Sequence, residues 1–302
     1  MTNNQKAVLL ALCSTALMTA TASLAKLAAH DYHVLQILFF RQIVILLSTL
    51  PLLVKDFPNA LKTSHPGLHS LRLSGAFAAL SLGILAVSGL PLTTSTTLGF
   101  ANIFFVSLLA HQFLGERLGP FRLVAIVSGF IGVFIAIKPS PESFLDGFSL
   151  IALAAAFGAS LAALSVRKLS QTESTTTLLS YQALFIGLLS GIPMIWLWRQ
   201  PDLTDLVLLL GMGCLSAAGN WIGIRALRLG EAGLVKSVDY ISLIYAALFG
   251  YFIFGEYPDS STLLGAGIII LAAFAIVQQR PIEKLLFSAN RKMRRTDRCY
   301  KG

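Results

Sequence analysis

The strongest constraint on this chain is a recurrence. Runs of about 20 mostly apolar residues, enough at 1.5 Å per residue for a helix to cross a bilayer, follow one another along nearly its whole length. Ten are readable, at 7–29, 34–54, 70–90, 92–113, 120–138, 147–167, 175–198, 204–227, 232–254 and 260–278. The breaks between them are short and often carry Pro or Gly, as at Gly89–Pro91, Gly119–Pro120, Lys138–Pro141 and Tyr257–Asp259. No alternation of apolar and polar residues marks a lipid-facing strand, so helices are the expected element.

Of the 302 residues, 55% are hydrophobic and 12% charged, with a mean hydropathy of +0.75. That charge is about half of what a soluble domain carries and leaves almost no room for one. The net charge of +9 is concentrated after the last apolar run, where eight Lys and Arg from Arg280 to Lys301 face only Glu283 and Asp297. A basic segment in that place reads as an anchor at anionic lipid headgroups. No stacking platform accompanies it, so nucleic acid is not an expected partner. Cys13, Cys214 and Cys299 are isolated, which predicts free thiols and no disulfide framework. Small residues near Ala20–Ala22 imitate a cleavage site, but equivalent spans follow, and the first run reads as a retained helix.

Lys and Arg decide the expected direction. With the N-terminus in the cytoplasm, 18 of the 23 fall on the cytoplasmic side, Arg72 among them. Lys26, Lys138 and Arg199 fall outside, and Arg41 and Lys236 remain within spans. The positive-inside rule then predicts that both termini are cytoplasmic.

The halves repeat. At an offset of 142, residues 12–51 match 154–193 at eight positions, among them Ser23/Ser165, Lys26/Lys168 and Pro51/Pro193. At an offset of 140, residues 83–116 match 223–256 at six, among them Gly83/Gly223 and Glu116/Glu256. Five spans per repeat is an odd number, so the halves must enter the membrane from opposite sides. Inverted repeats are a recurring design of secondary transporters, with substrate near the midplane between the halves.

The five-plus-five layout, "FFR" at 39–41, "LGE" at 114–116, "FGE" at 254–256 and "VSGFIGVFIAIKP" at 127–139 resemble the EamA type of the drug/metabolite transporter superfamily over nearly the whole chain. The resemblance implies an all-α polytopic membrane protein of ten transmembrane helices in two inverted five-helix repeats: 1–140, 141–280, then a basic cytoplasmic tail over 281–302. Many relatives have a proline thirteen residues before each Glu of the GE motif. Here Ile103 and Leu243 stand at those positions, so no proline loosens the helices there. Similarity around "ALKTSHP" (60–66) and "YFIFGEYPDSSTLLGAGIII" (251–270) points to the S-adenosylmethionine-carrier branch.

Charge inside the spans suggests a site. A charged side chain at mid-bilayer costs about 2.5–3.5 kcal/mol even on lenient scales. Arg41 lies about 10 Å inside the second span by helical rise. Either it snorkels outward, or it faces the interior and pairs with Asp239 or a substrate carboxylate. Lys236 and Asp239, three apart, share a helix face. Lys236 is close enough to the cytoplasmic end to snorkel, whereas the short Asp239 side chain is too deep, which marks it as a ligand or proton site. The stripe TTSTTLGFAN, 93–102, contributes Thr96 and Asn102 as further candidates, although such hydroxyls commonly bond their own backbone. Asn220 and Trp221, with Tyr240 and Tyr245, form a candidate wall for an organic substrate, helix packing or interface anchoring being the alternative for each. Gly187xxxGly191 and Gly219xxxGly223 read as close-packing sites, and Glu116 and Glu256 as caps of the helices that follow them. His65 and His69 have HxxxH spacing, but Pro66 and Gly67 interrupt the helix that such a metal motif needs, and no Walker sequence or nucleophile elbow is present.

The expectation is therefore a carrier of a small organic metabolite, amino-acid-like as in S-adenosylmethionine, working by alternating access in a bacterial inner membrane. It is expected to need no cofactor or metal, to perform no enzymatic step, and to act as a monomer or homodimer. The alternatives are an exporter of amphipathic compounds, a riboflavin carrier, and more remotely a membrane sensor or scaffold.

Overall fold

The structure is a computed structural model and describes residues 3–55, 63, 65–114, 119–137, 147–169, 173–229 and 238–275. Among these residues it is helical throughout, with no strand. The helices are α1 (Asn3–Ala28), α2 (Val34–Lys55), α3 (Pro66–Gly89), α4 (Leu92–Gly99), α5 (Ala101–Leu114) and α6 (Pro120–Ile137). They continue as α7 (Gly147–Leu169), α8 (Thr175–Gly191), the short α9 (Met194–Leu197), α10 (Leu203–Leu229), α11 (Ser242–Phe254) and α12 (Ser260–Ala275). Among the described residues, six segments are long and apolar enough to cross a membrane, and 123–137, 177–191, 239–254 and 260–275 form four shorter apolar stretches of helix.

The bundle is dressed for lipid. Large apolar side chains such as Val54, Phe113, Val124, Ile195, Phe252 and Leu271 point outward, while Thr15, Thr19, Ser23, Gln42, Ser160 and Ser216 are buried. Hydrocarbon gives apolar side chains no reason to leave the surface, so helices associate through close packing and polar contacts. Small residues permit that packing. A Cβ built on Gly75 would stand 2.7 Å from the Gly158 carbonyl oxygen, and one on Gly158 would stand 2.8 Å from that of Gly75, so α3 and α7 meet backbone to backbone. Gly132 of α6 and Gly265 of α12 approach each other in the same reciprocal way.

The pairing exchanges the two halves. α1 packs along α10, and α7, which corresponds to α1 at the 142-residue offset, packs along α3. α2 packs against its own counterpart α8. Alternate junctions also meet at one end or the other. The α1–α2, α3–α4, α9–α10 and α11–α12 junctions share contacts at the end carrying Lys26, whereas Thr63 and His69 meet Glu173 at the end carrying Asn3.

Two helices are interrupted, which differs from the continuous spans that Ile103 and Leu243 suggest. One break lies at Phe100, between α4 and α5, where the Phe100 amide reaches back three residues to the Thr97 carbonyl at 3.2 Å. The other is a 3-10 turn over Asp239–Ile241, just before α11. The breaks coincide at the 140-residue offset, which places Gly99 on Asp239 and Phe100 on Tyr240. The physical reason is that a flexible Gly and a short polar Asp release the helix without proline.

Candidate functional site

Both breaks open onto one cavity of about 470 Å³. α1 contributes its wall from Ala11 to Ala22, about 16 Å along the helix, presenting Ser14, Thr15, Met18 and Thr19. α10 contributes Gly219, Asn220, Gly223 and Ile224, α4 contributes Thr96, and the breaks contribute Phe100, Asp239 and Ser242. Among the described residues, Asp239 is the one charged residue in this lining.

Close approach shapes the α1–α10 side. A Cβ on Gly219 would stand 3.2 Å from Met18, and one on Gly223 2.7 Å from the Ser14 hydroxyl oxygen, which donates to the Gly219 carbonyl at 2.7 Å. The close-packing reading of Gly219xxxGly223 holds. Thr19 and Thr96 donate their hydroxyls back to Thr15 and Leu92 carbonyls at 2.9 and 2.8 Å. Each hydroxyl oxygen then presents acceptor lone pairs. The described lining thus combines one carboxylate, neutral acceptors, the Asn220 amide, the Phe100 ring and the Met18 thioether. That set suits a small cationic or zwitterionic organic molecule.

The candidate residues divide by position. Thr96, Asn220 and Asp239 line the cavity. Tyr240 is half-buried directly behind it, with its ring 5.3 Å from that of Phe100. Asn102 and Tyr245 are half-buried on α5 and α11, away from the lining. Arg41 lies in the seam between α2 and α10, where its Nε donates to Ser216 Oγ at 2.8 Å. Ser216 is one turn before Asn220 on α10, so the guanidinium stands beside the cavity wall and not against Asp239. Trp221 is exposed and its Nε1 approaches Ser48 Oγ at 3.4 Å. Lys236 lies outside the described residues, as do Glu116 and Cys299, while Cys13 and Cys214 are free and exposed.

Other polar contacts surround the site without entering it. At the Lys26 end, Tyr32 donates to Asp205 Oδ2, a bond that, with burial, pushes the phenol up to about 12. There Arg199 binds the Asp31 carbonyl at 2.5 Å. At the Asn3 end, the His69 ring nitrogen Nε2 meets Glu173 Oε2 at 2.5 Å, and Thr63 donates to Glu173 Oε1 at 2.5 Å. Arg72, counted on the cytoplasmic side at the start of the 70–90 run, is buried in the second turn of α3 and donates to the Leu178 carbonyl and Gln182 Oε1, both at 2.9 Å. Pro66 starts α3 four residues before the apolar run does, which sets Arg72 one turn deeper in the helix. His65 is the residue before α3 and is exposed. Among the described residues, no group of three His, Cys, Asp or Glu is placed to hold a metal.

Glu256 requires a correction. It does not cap the helix that follows it. Its Oε2 accepts from the Leu92 amide at 2.8 Å, at the start of α4 in the other half, and its Oε1 accepts from Lys26 Nζ. Gly255 explains this: at φ 65 it ends α11 in the left-handed region, and the Glu256 amide folds back onto the Gly250 carbonyl at 2.9 Å. The side chain is thereby aimed at α4.

The profile of the EamA-like transporter family matches residues 5–138 and again 148–278. The chain is 33% identical over 245 residues to an S-adenosylmethionine uptake transporter of Rickettsia bellii, covering 81% of this chain and 84% of that one. It is 30% identical over 250 residues to a riboflavin transporter of Brucella anthropi (80% and 87% covered). It is 28% identical over 273 residues to a pseudopaline exporter of Pseudomonas aeruginosa (89% and 95% covered). A crystallographically solved chain superposes with a TM-score of 0.61 at 17% identity, over 90% of this chain and 97% of that one, a likeness of fold.

Proposed function

The chain belongs to the EamA-like transporter family, and we propose that it carries a small amino-acid-like metabolite, of the S-adenosylmethionine kind, across the bacterial inner membrane by alternating access. One observation carries this reading: the cavity of about 470 Å³ where the two helix breaks meet, whose described lining sets the Asp239 carboxylate among hydroxyls, an aromatic ring and a thioether. The volume falls in the usual range for small-molecule sites, about 300–1,000 Å³. Asp239 meets the cationic group of the solute. Phe100 lies against its apolar body, and Arg41, bonded to Ser216 one turn from Asn220, is the nearby cation for a solute carboxylate. The ten apolar helices are ten spans in two inverted repeats, with both termini cytoplasmic and the basic tail at anionic headgroups. On this topology the Lys26 end faces outward.

Thermal shift of the purified protein against a metabolite panel, followed by counterflow of labelled solute in liposomes, tests the proposal. S-adenosylmethionine or a similar zwitterion should raise the melting temperature and exchange across the membrane; failure of all amino-acid-like solutes to do either removes it. A second reading, carriage of riboflavin or export of amphipathic compounds, is supported by the Phe100–Tyr240 ring pair beside the cavity, and flavins belong in the same panel.

A further inference from the structure

The Lys26 contact joins three parts of the chain that are far apart in sequence. Lys26, in the last turn of α1, donates to the Leu90 carbonyl at the end of α3 at 2.6 Å and to Glu256 Oε1. Its ammonium also stands 5.0 Å from the centre of the Phe254 ring. Glu256 in turn holds the first amide of α4 through Leu92. The Lys and Glu side chains are 14% and 22% exposed, so the pair is screened by water less than a surface ion pair would be.

Its position relative to the cavity gives it meaning. Ala22 on α1 and Thr96 on α4 both line the cavity, and each is one helical turn from a member of the contact, Lys26 and Leu92 respectively. The ion pair therefore lies directly over the Lys26 end of the cavity. Elsewhere the halves are tied at both ends: Tyr32 and Asp31 to Asp205 and Arg199 at this end, Thr63 and His69 to Glu173 at the other. Those ties join the α1–α2 and α3 side to the α7–α8 and α10 side, and none of them touches α4 or α11. Among the described residues, the Lys26–Glu256 contact is the one that bridges α1, α4 and α11 above the cavity.

We infer that Lys26, Glu256 and the Leu90–Leu92 backbone form the outer gate of the cavity, closed in this structure. The gate opens when the carboxylate releases both the ammonium and the α4 amide, letting α4 and α11 swing from α1. Lys26 and Glu256 bind no solute in this scheme; they set which side the cavity faces. The inference rests on the transporter reading above, and its test uses accessibility, which needs no substrate.

Cys13, Cys214 and Cys299 are replaced by Ser, and Ala22→Cys is added as the reporter. Right-side-out vesicles are then treated with a membrane-impermeant maleimide. Glu256→Gln and Lys26→Met should each raise the labelling rate on the order of tenfold, by moving the population toward the outward-open state. As a second variant, Lys26→Cys/Glu256→Cys in the thiol-free parent, bridged by a reducible bifunctional reagent, should stop counterflow, and reduction should restore it. Labelling unchanged in both single variants, or counterflow that continues through the bridged pair, overturns the gate. If either single variant fails to reach the membrane, the bridged pair decides. If no solute gives counterflow at all, the carriage reading falls while the labelling experiment still decides the gate.

Discussion

Phe100 and Tyr240 stand at equivalent places in the two repeats, 140 residues apart, and their rings pack on each other at 5.3 Å. A residue that touches its own counterpart lies beside the axis that relates the halves. The cavity borders this contact, so the site occupies the place where both interrupted helices can respond to one solute. Aromatic pairs contribute about 0.5–1.5 kcal/mol beyond their buried area. Phe100→Ala and Tyr240→Ala should each lower the melting temperature. Their double-mutant cycle should return a coupling in that range, whereas Tyr240→Phe should leave stability near the parent. Additive effects of the two alanine variants would show that the rings do not cooperate.

Asp239→Asn keeps the shape of the cavity and removes its charge. Affinity for cationic or zwitterionic solutes should fall by about two orders of magnitude, the usual scale for removing a charge-assisted hydrogen bond in a site shielded from water. Melting temperature without solute is read alongside, because the carboxylate also takes part in the protein's own contacts. Thermal shift and counterflow on the same preparation separate the two effects, and equal solute affinity in the variant would remove Asp239 from the site.

Gly75 and Gly158 test the packing. With the carbonyl oxygen of one at 2.7–2.8 Å from a Cβ on the other, neither backbone can yield to a methyl group. Gly75→Ala should destabilise by about 1–3 kcal/mol through overpacking, and Gly75→Leu should prevent recovery of monodisperse protein. Gly67, which has open space around a Cβ, is the control.

Much of this was legible in the sequence. Hydropathy alone located the apolar helices, because a span of lipid leaves a run of lipid-like residues. The offsets of 142 and 140 gave the correspondence between α1 and α7 and between the two breaks. The breaks themselves were hidden, because proline at 103 and 243 would be the sign of a loosened helix, whereas Gly99 and Asp239 release the backbone a few residues earlier. The Lys26–Glu256 contact was invisible for another reason: both residues match counterparts in the other repeat, but identity says nothing of which residues meet across 230 positions. Ser14, Thr15 and Thr19 became cavity residues only once Gly219 and Gly223 brought α10 against α1.

Glu173 gives the protein an acid-sensitive tie. Burial works to raise its carboxyl, but the Thr63 and His69 hydrogen bonds and the nearby His69 and His65 outweigh it, leaving the group below its ordinary 4.5. A lowered value means that the folded state holds the anion better than the unfolded chain does. The resulting stability is present above 4.5 and is lost as pH falls through the lower folded value. The purified protein should therefore lose melting temperature progressively below pH 4.5. Glu173→Gln should start lower at neutral pH and show a shallower acid limb. Parallel curves for parent and variant would assign the acid sensitivity to another group.

Arg41 sits where an apolar helix has most reason to exclude charge, and its described partner, the Ser216 hydroxyl, is neutral. A hydroxyl satisfies one N–H without balancing a full charge, so a stabilising role predicts a modest effect of its loss and a solute-binding role predicts a selective one. Arg41→Ala should abolish transport of carboxylate-bearing solutes, at least about tenfold below the parent, with expression and melting temperature largely intact. Solutes of similar size that lack a carboxylate should be affected much less, because they make no use of the guanidinium beside Ser216. Ser216→Ala removes only the hydrogen bond, worth about 0.5–1.5 kcal/mol in net terms, and should weaken carboxylate solutes by a few-fold through looser placement of Arg41. Counterflow with paired solutes, acid and methyl ester, measures this directly. Normal kinetics for both members of the pair in Arg41→Ala would make Arg41 a structural tie between α2 and α10 and leave Asp239 as the charge that the cavity uses.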